Sequence, residues 1–230
     1  MSNWLGKRLP GIAAGAVLLI GALAAAAAPD GGVQDAWRPA KGAARGGTDR
    51  DAPQVKAEQR GLAQGGRLQV LTYRFERPVV LTDAAGISDV VMPGTESGGE
   101  AGAPRLPALG VRVAVPQGQK VTAVRIVPDA AQRLAEGIRI RHVERPYPLS
   151  RPDKAAADTP RNPQIYGSDA RFPAAPGMAR GARSKRGVEF EELLLHPVAY
   201  EPASGRVFWH AEIVVEVQTA PAARRARAAG

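Results

Sequence analysis

Residues 207–217 read Val-Phe-Trp-His-Ala-Glu-Ile-Val-Val-Glu-Val. Val207, Trp209, Ala211, Ile213, Val215 and Val217 fall on one side of an extended chain, and Phe208, His210, Glu212, Val214 and Glu216 fall on the other. This two-residue period marks a strand with one face in a core, because successive side chains of extended backbone point in opposite directions. Immediately upstream, Glu201-Pro202-Ala203-Ser204-Gly205-Arg206 has turn chemistry, and residues 188–200 form a second apolar-rich segment. Strand, turn and strand in succession predict an antiparallel pair.

The same period recurs further out. Residues 120–127 alternate, with Val121, Ala123, Arg125 and Val127 on one face, and a turn at 116–119 separates them from a further strand over 106–116. These two segments are expected to form a hairpin, apolar enough on both faces to lie in a sandwich. Shorter strands are expected at 67–73, at 79–81 and around Ile138 and Ile140, with one or two helical turns over 129–136. Residues 150–187 carry prolines at 152, 160, 163, 173 and 176, which remove ladder donors. This stretch reads as a long Pro/Gly-rich loop that is either an extended functional loop or locally disordered. No segment shows a convincing amphipathic helix period, so the fold class is all-β, an antiparallel β-sandwich.

The N-terminal end is of another kind. Lys7 and Arg8 precede an apolar run over 9–23, and alanines fill 24–28. A positive cluster, a run shorter than the ~20 residues needed to span a bilayer, and small residues after it make a signal-peptide layout over 1–28; an uncleaved anchor is the rival reading. Residues 29–66 are polar, glycine-rich and aperiodic, and read as a flexible segment. The expected organisation is therefore a signal peptide (1–28), a flexible segment (29–66), a β-sandwich domain (67–219) and a basic C-terminal tail (220–230). The product is secreted or extracytoplasmic, with no stable membrane association after signal cleavage. With no cysteine, the chain has no disulfide framework and no thiolate nucleophile, so a packed core must hold it together.

Composition and motifs exclude several function classes. The formal charge of +9 would attract polyanions, yet the arginines are scattered among Pro, Gly and Ala without aromatic platforms or a recognition helix, so no nucleic-acid partner is expected. The histidines, His142, His196 and His210, each sit in a predicted strand with no nucleophile beside them. No metal-ligand spacing or phosphate-cradling glycine loop occurs, and neither cofactor nor metal is expected. By itself the chain reads as non-catalytic. Two basic clusters stand out, Arg180-Gly181-Ala182-Arg183-Ser184-Lys185-Arg186-Gly187 and Arg224-Arg225-Ala226-Arg227. Each is either a solvated charge run or a pliable basic segment of the kind that trypsin-like specificity pockets accept.

From Gly102 onward the order of features resembles the propeptide domain of gingipain-type (C25 family, clan CD) cysteine peptidases. The residues that carry the resemblance begin with Gly102-Ala103-Pro104-Arg105-Leu106-Pro107 and Val113-Ala114-Val115-Pro116-Gln117-Gly118 with Val121 and Val124. Pro146, Pro148, Pro163, Tyr166 and Val188 follow, then His196-Pro197-Val198-Ala199-Tyr200-Glu201-Pro202 and Gly205-Arg206-Val207. The resemblance implies a prodomain that assists folding of a catalytic domain and keeps it latent by occupying its cleft until cleavage after basic residues. It implies a cysteine peptidase catalytic domain as partner, in cis in a longer precursor or in trans. It gives Lys185, Arg186, Arg224, Arg225 and Arg227 a role as processing positions. Arg161, Arg171, Arg183, Lys185 and Arg186 become the candidates for the residue that plugs the cleft. The rival readings are an extracytoplasmic β-sandwich adhesion or carbohydrate-binding module, which would need exposed aromatics, and a polyanion-binding surface protein, whose binding would weaken steeply with salt.

Overall fold

The computed structural model describes residues 52–146, 150 and 159–222. The predicted signal segment, residues 29–51 of the lead-in and Arg224, Arg225 and Arg227 lie outside the described residues. The strands are β1 (Gln54–Gly61), β2 (Arg67–Arg74), β3 (Val79–Thr82), β4 (Ile87–Val91), β5 (Glu96–Gly98), β6 (Leu106–Ala114) and β7 (Gln119–Pro128). They continue with β8 (Gln132–Ala135), β9 (Arg139–Ile140), β10 (Gly177–Lys185), β11 (Val188–Leu195), β12 (Val198–Glu201), β13 (Arg206–Trp209) and β14 (Glu212–Pro221). Among the described residues one short helix, α1 (Pro163–Tyr166), interrupts them. Two four-stranded sheets, β1-β2-β14-β7 and β10-β11-β6-β5, form the body, and two three-stranded sheets, β12-β13-β8 and β3-β4-β9, complete it. Among the described residues every strand pairing is antiparallel except that of β4 with β9. The all-β, sandwich-like class expected from the alternation is the observed one.

The 207–217 run forms two strands, not one. β13 pairs with β12 and β8, whereas β14 lies between β2 and β7, so the chain changes sheets at His210 and Ala211. There the His210 N–H donates to the Pro197 carbonyl (2.8 Å) and the Ala211 carbonyl accepts from Phe75 N–H (2.9 Å), which ties the corner to both sides. The alternation survives the corner because both sheets line one core. Val207, Trp209, Ile213, Val215 and Val217 are all buried in a single cluster with Leu71, Tyr73, Val113, Leu193 and Leu195. Burial of each large aliphatic side chain contributes about 1.5–3 kcal/mol, enough for this cluster to stand in for the missing disulfides.

Four expectations are corrected. Residues 54–61 are no part of a flexible segment: β1 pairs with β2 along its whole length, from Gln54↔Arg74 to Gly61↔Arg67. All eight of its residues are exposed, so it carries no apolar period to detect. A 3-10 turn at Ala63–Gly65 joins the two strands, with Gln64 at φ 59 and Gly65 at φ 76. β6 and β7 are not a hairpin either; the turn between them carries the chain from one large sheet to the other. The turns expected over 129–136 are replaced by β8, because the register against β13 offers a backbone ladder that a short Ala-rich stretch cannot match as an isolated helix. The loop over 150–187 is shorter than expected, since β10 begins at Gly177, one residue after the last proline, and pairs with β11 through a bulge between Ala179 and Gly181.

Candidate functional site

The basic residues singled out in the sequence are brought to different places. Arg171 precedes Phe172, which exchanges two 2.8 Å backbone hydrogen bonds with Tyr200 of β12. This anchor lays the Arg171 guanidinium 4.0 Å from the centroid of the Phe208 ring and lets its Nε donate to Glu201 Oε1 at 2.9 Å. The other Glu201 oxygen is held by Arg206 Nη2 at 2.8 Å and by the Ser204 hydroxyl at 3.3 Å. The hydrogen bond from Arg171, with Arg206 and Ser204 in support, keeps the nearly buried Glu201 carboxyl below the ordinary carboxylate range. Arg171 is thus committed to an internal clamp. The Glu201-Pro202-Ala203-Ser204-Gly205-Arg206 stretch, read as a turn in the sequence, closes that clamp.

Arg161 lies beside α1, its guanidinium 5.4 Å from the centroid of the Tyr166 ring. Asn162 caps the helix, its Oδ1 accepting from Gln164 N–H at 3.0 Å and Ile165 N–H at 3.4 Å. The segment is pressed against Gly102, whose φ is +87 and whose missing side chain leaves room for the Pro160 carbonyl; a Cβ there would stand 2.6 Å from that oxygen. The glycine that opens the Gly102–Pro107 motif is therefore a close-approach position. Arg105 of the same motif donates to Asp89 at 2.5 Å, and Arg141 joins Asp89 at 3.0 Å and Asp83 at 2.7 Å. Burial raises the Asp89 pKa, but the two guanidiniums outweigh it and the net shift is downward. Sequence reasoning missed Asp83, Asp89 and Arg141 as a network, since no local spacing joins residues 52 and 58 positions apart.

Arg183, Lys185 and Arg186 share the β10–β11 hairpin. Lys185 pairs with Val188, leaving Arg186-Gly187 as a two-residue loop with φ of 53 and 77, the positive values a type I′ turn requires. Arg183 approaches Glu192 at 3.8 Å, and Glu192 is shared with Arg112 at 3.7 Å. Lys185 and Arg186 are exposed at the tip, without an ion pair among the described residues. The basic cluster is therefore presented on a hydrogen-bonded hairpin, not on a slack loop. Trp209 is buried at 8% exposure and so offers no platform for a sugar. Among the described residues, no three His, Cys, Asp or Glu side chains gather as metal ligands.

Comparison with known proteins bears on this arrangement. The Propeptide_C25 family model matches residues 67–229, from β2 onward. The fold is similar to a solved complex of the Porphyromonas gingivalis RgpB pro- and mature domains, at a TM-score of 0.55 and 18% identity over 74% of this chain and 84% of that one. It is also similar to a Porphyromonas gingivalis structure described as giving insight into the zymogenic latency of gingipain K, at a TM-score of 0.56 and 18% identity over 73% of this chain and 100% of that one. No curated protein matches the chain.

Proposed function

This chain belongs to the propeptide family of the C25 cysteine peptidases, and from that premise we propose that it serves a secreted gingipain-type endopeptidase as folding assistant and latency inhibitor. The observation that carries the reading is the family match from residue 67 to residue 229, which spans all strands of the two large sheets except β1. A rigid two-sheet body that projects a basic hairpin is the shape such a role needs. The body supplies a preorganised surface, and a fixed tip loses little conformational entropy on entering a cleft. Of the five plug candidates, Lys185 and Arg186 are the ones the fold offers at a tip, whereas Arg171 is held in the Glu201 clamp and Arg161 over Tyr166. Arg224, Arg225 and Arg227 are assigned to the junction with the enzyme, whether that enzyme follows in cis or is met in trans.

The test is inhibition by a fragment that begins at residue 29. Starting at Arg67 would strip β1 from the edge of its sheet. Titrated against a mature gingipain-type peptidase of the same organism, the fragment should block substrate turnover at one-to-one stoichiometry. Replacing Lys185 and Arg186 together should weaken inhibition by about tenfold or more, as loss of a charged contact buried in an interface does. A folded, uncleaved fragment that leaves turnover of its matched enzyme unchanged would overturn the reading.

A further inference from the structure

Among the described residues, the free sheet edge best suited to take another strand is that of β1. This eight-residue strand stands first in the order β1-β2-β14-β7, and its pairing with β2 runs without a break from Gln54↔Arg74 to Gly61↔Arg67. The other edges are blunted. β10 carries a bulge between Ala179 and Gly181, with Gly181 at φ 95, and the register of β7 slips where it meets Gln218 and Thr219. The remaining edge strands, β3, β5, β8, β9 and β12, are four residues long or shorter. All eight residues of β1 are exposed. A long, unbroken row of backbone N–H and C=O groups facing solvent is a template for a further strand.

The side chains of β1 select which strand fits. Val55, Ala57 and Gln59 share the face of buried Tyr73 and Leu71, and Gln54, Lys56, Glu58 and Arg60 share the opposite face. Residues opposite each other in an antiparallel pair lie on the same face. Two copies of β1 therefore meet about a two-fold axis only in registers that set one residue opposite itself. An axis at Lys56 brings two ammoniums together. An axis at Glu58 brings two carboxylates together and sets Lys56 against the partner's Arg60. An axis at Ala57 instead places Lys56 opposite the partner's Glu58 and Glu58 opposite the partner's Lys56, and it uses the strand from Gln54 to Arg60. An axis at Gln59 also matches charges, Glu58 with the partner's Arg60, but keeps only Ala57 to Gly61 of the strand in the ladder.

Within one chain Glu58 already lies 2.9 Å from Lys56 Nζ and 3.2 Å from Arg60 Nη2. Such exposed pairs are weak, so exchanging the Lys56 contact for one across the axis costs little. Each opposed pair of opposite charges adds about 0.2–1 kcal/mol to a ladder whose backbone bonds are new. We infer that β1 pairs with β1 of a second copy, antiparallel about a two-fold axis at Ala57, with Lys56 and Glu58 exchanging partners across it. The pairing joins the two β1-β2-β14-β7 sheets into one continuous sheet. One strand edge buries less than the ~1,200 Å² of a standard interface, so the dimer forms at micromolar concentrations, with a Kd of about 1–100 μM. β1 lies ahead of residues 67–229, the part of the chain that the family model matches, and the inference does not rest on the prodomain reading.

The absence of cysteine from the chain makes disulfide trapping a direct test. Opposed residues of an antiparallel pair have Cα atoms about 4.5–5.5 Å apart, within reach of a disulfide. In the full chain at about 100 μM under mild oxidation, Ala57→Cys should form a disulfide-linked dimer about tenfold faster than Ala130→Cys, because pairing raises the effective concentration. Ala130 is exposed and lies past the end of β7. Adding Lys56→Glu to the Ala57→Cys chain should slow linking to the control rate, since it sets carboxylates against each other. Adding Glu58→Lys as well should restore the rate, since the charges are then exchanged but still opposite. Because β1 buries no side chain, these changes leave the core untouched. Equal rates at positions 57 and 130 would overturn the inference. So would faster linking of Gln59→Cys than of Ala57→Cys, which would move the axis, or a doubly reversed chain that links no faster than the Lys56→Glu one. No peptidase enters this experiment, so its failure is distinct from a failure of inhibition.

Discussion

His196 separates β11 from β12, its backbone N–H donating to the Pro176 carbonyl at 2.7 Å. Burial of the ring, helped by the nearby positive charge of Arg180, lowers its pKa from the ordinary 6.5. The folded protein therefore binds this proton less readily than the unfolded chain. The stability it contributes is complete above pH 6.5 and is lost as pH falls through that value toward the lower folded pKa. Thermal melts of the full chain should show a midpoint that drops between pH 7 and pH 5, before the bulk of the carboxylates titrate. In His196→Asn the drop over this window should be smaller. An identical pH profile for the two proteins would show that His196 does not carry this proton linkage. Glu201 and Glu191 make a contrast at the same scale: both residues are little exposed, one with its carboxylate held by Arg171, Arg206 and Ser204 and the other lining an open surface groove with Val121 and Ala179. Nothing in their local sequences distinguishes them, since what decides is which strand edge passes opposite.

Among the elements, the β10–β11 hairpin separates stability from function most cleanly. Arg186 sits at φ 53, where a side chain with a Cβ costs about 1 kcal/mol, while Asn followed by glycine is the favoured type I′ pair. Arg186→Asn should raise the unfolding free energy by about 0.5–1 kcal/mol in a urea titration. The same change should weaken inhibition of the matched peptidase if the tip enters its cleft. A variant that is less stable than the parent would contradict the turn geometry. Elements of this sort also show what could be read beforehand. The strands with a buried face, β2, β6, β11 and β14, were legible because burial writes a period of two into the sequence. β1 and β10 were not, since both are edge strands with almost no buried residue and are held by backbone pairing alone, which leaves no trace in side-chain polarity. The candidate site divides the same way: the basic residues were visible, whereas their partners Glu201, Glu192 and Phe208 come from strands brought alongside by the fold.

At the scale of the whole molecule, β14 is the strand on which the rest depends. It pairs with β2 on one side and β7 on the other and buries Ile213, Val215 and Val217 completely. Those three side chains represent about 1.5–3 kcal/mol each, a sum comparable with the entire stability of a typical domain, about 5–15 kcal/mol. A chain ended after Ala211 keeps β13 but should show no cooperative thermal transition by circular dichroism, whereas the full chain melts sharply. A truncated chain that still melted cooperatively would mean the β10-β11-β6-β5 sheet folds without its partner. The corner at His210 and Ala211, by delaying that central strand to residues 212–221, also sets a clock. A ribosome releases residues in order, so until residue 221 has emerged β7 has no partner and the β1–β2 hairpin lies open along its inner edge. Any machinery that threads the nascent polypeptide from its N-terminus meets a domain that strand order alone keeps unfinished until β14 has emerged.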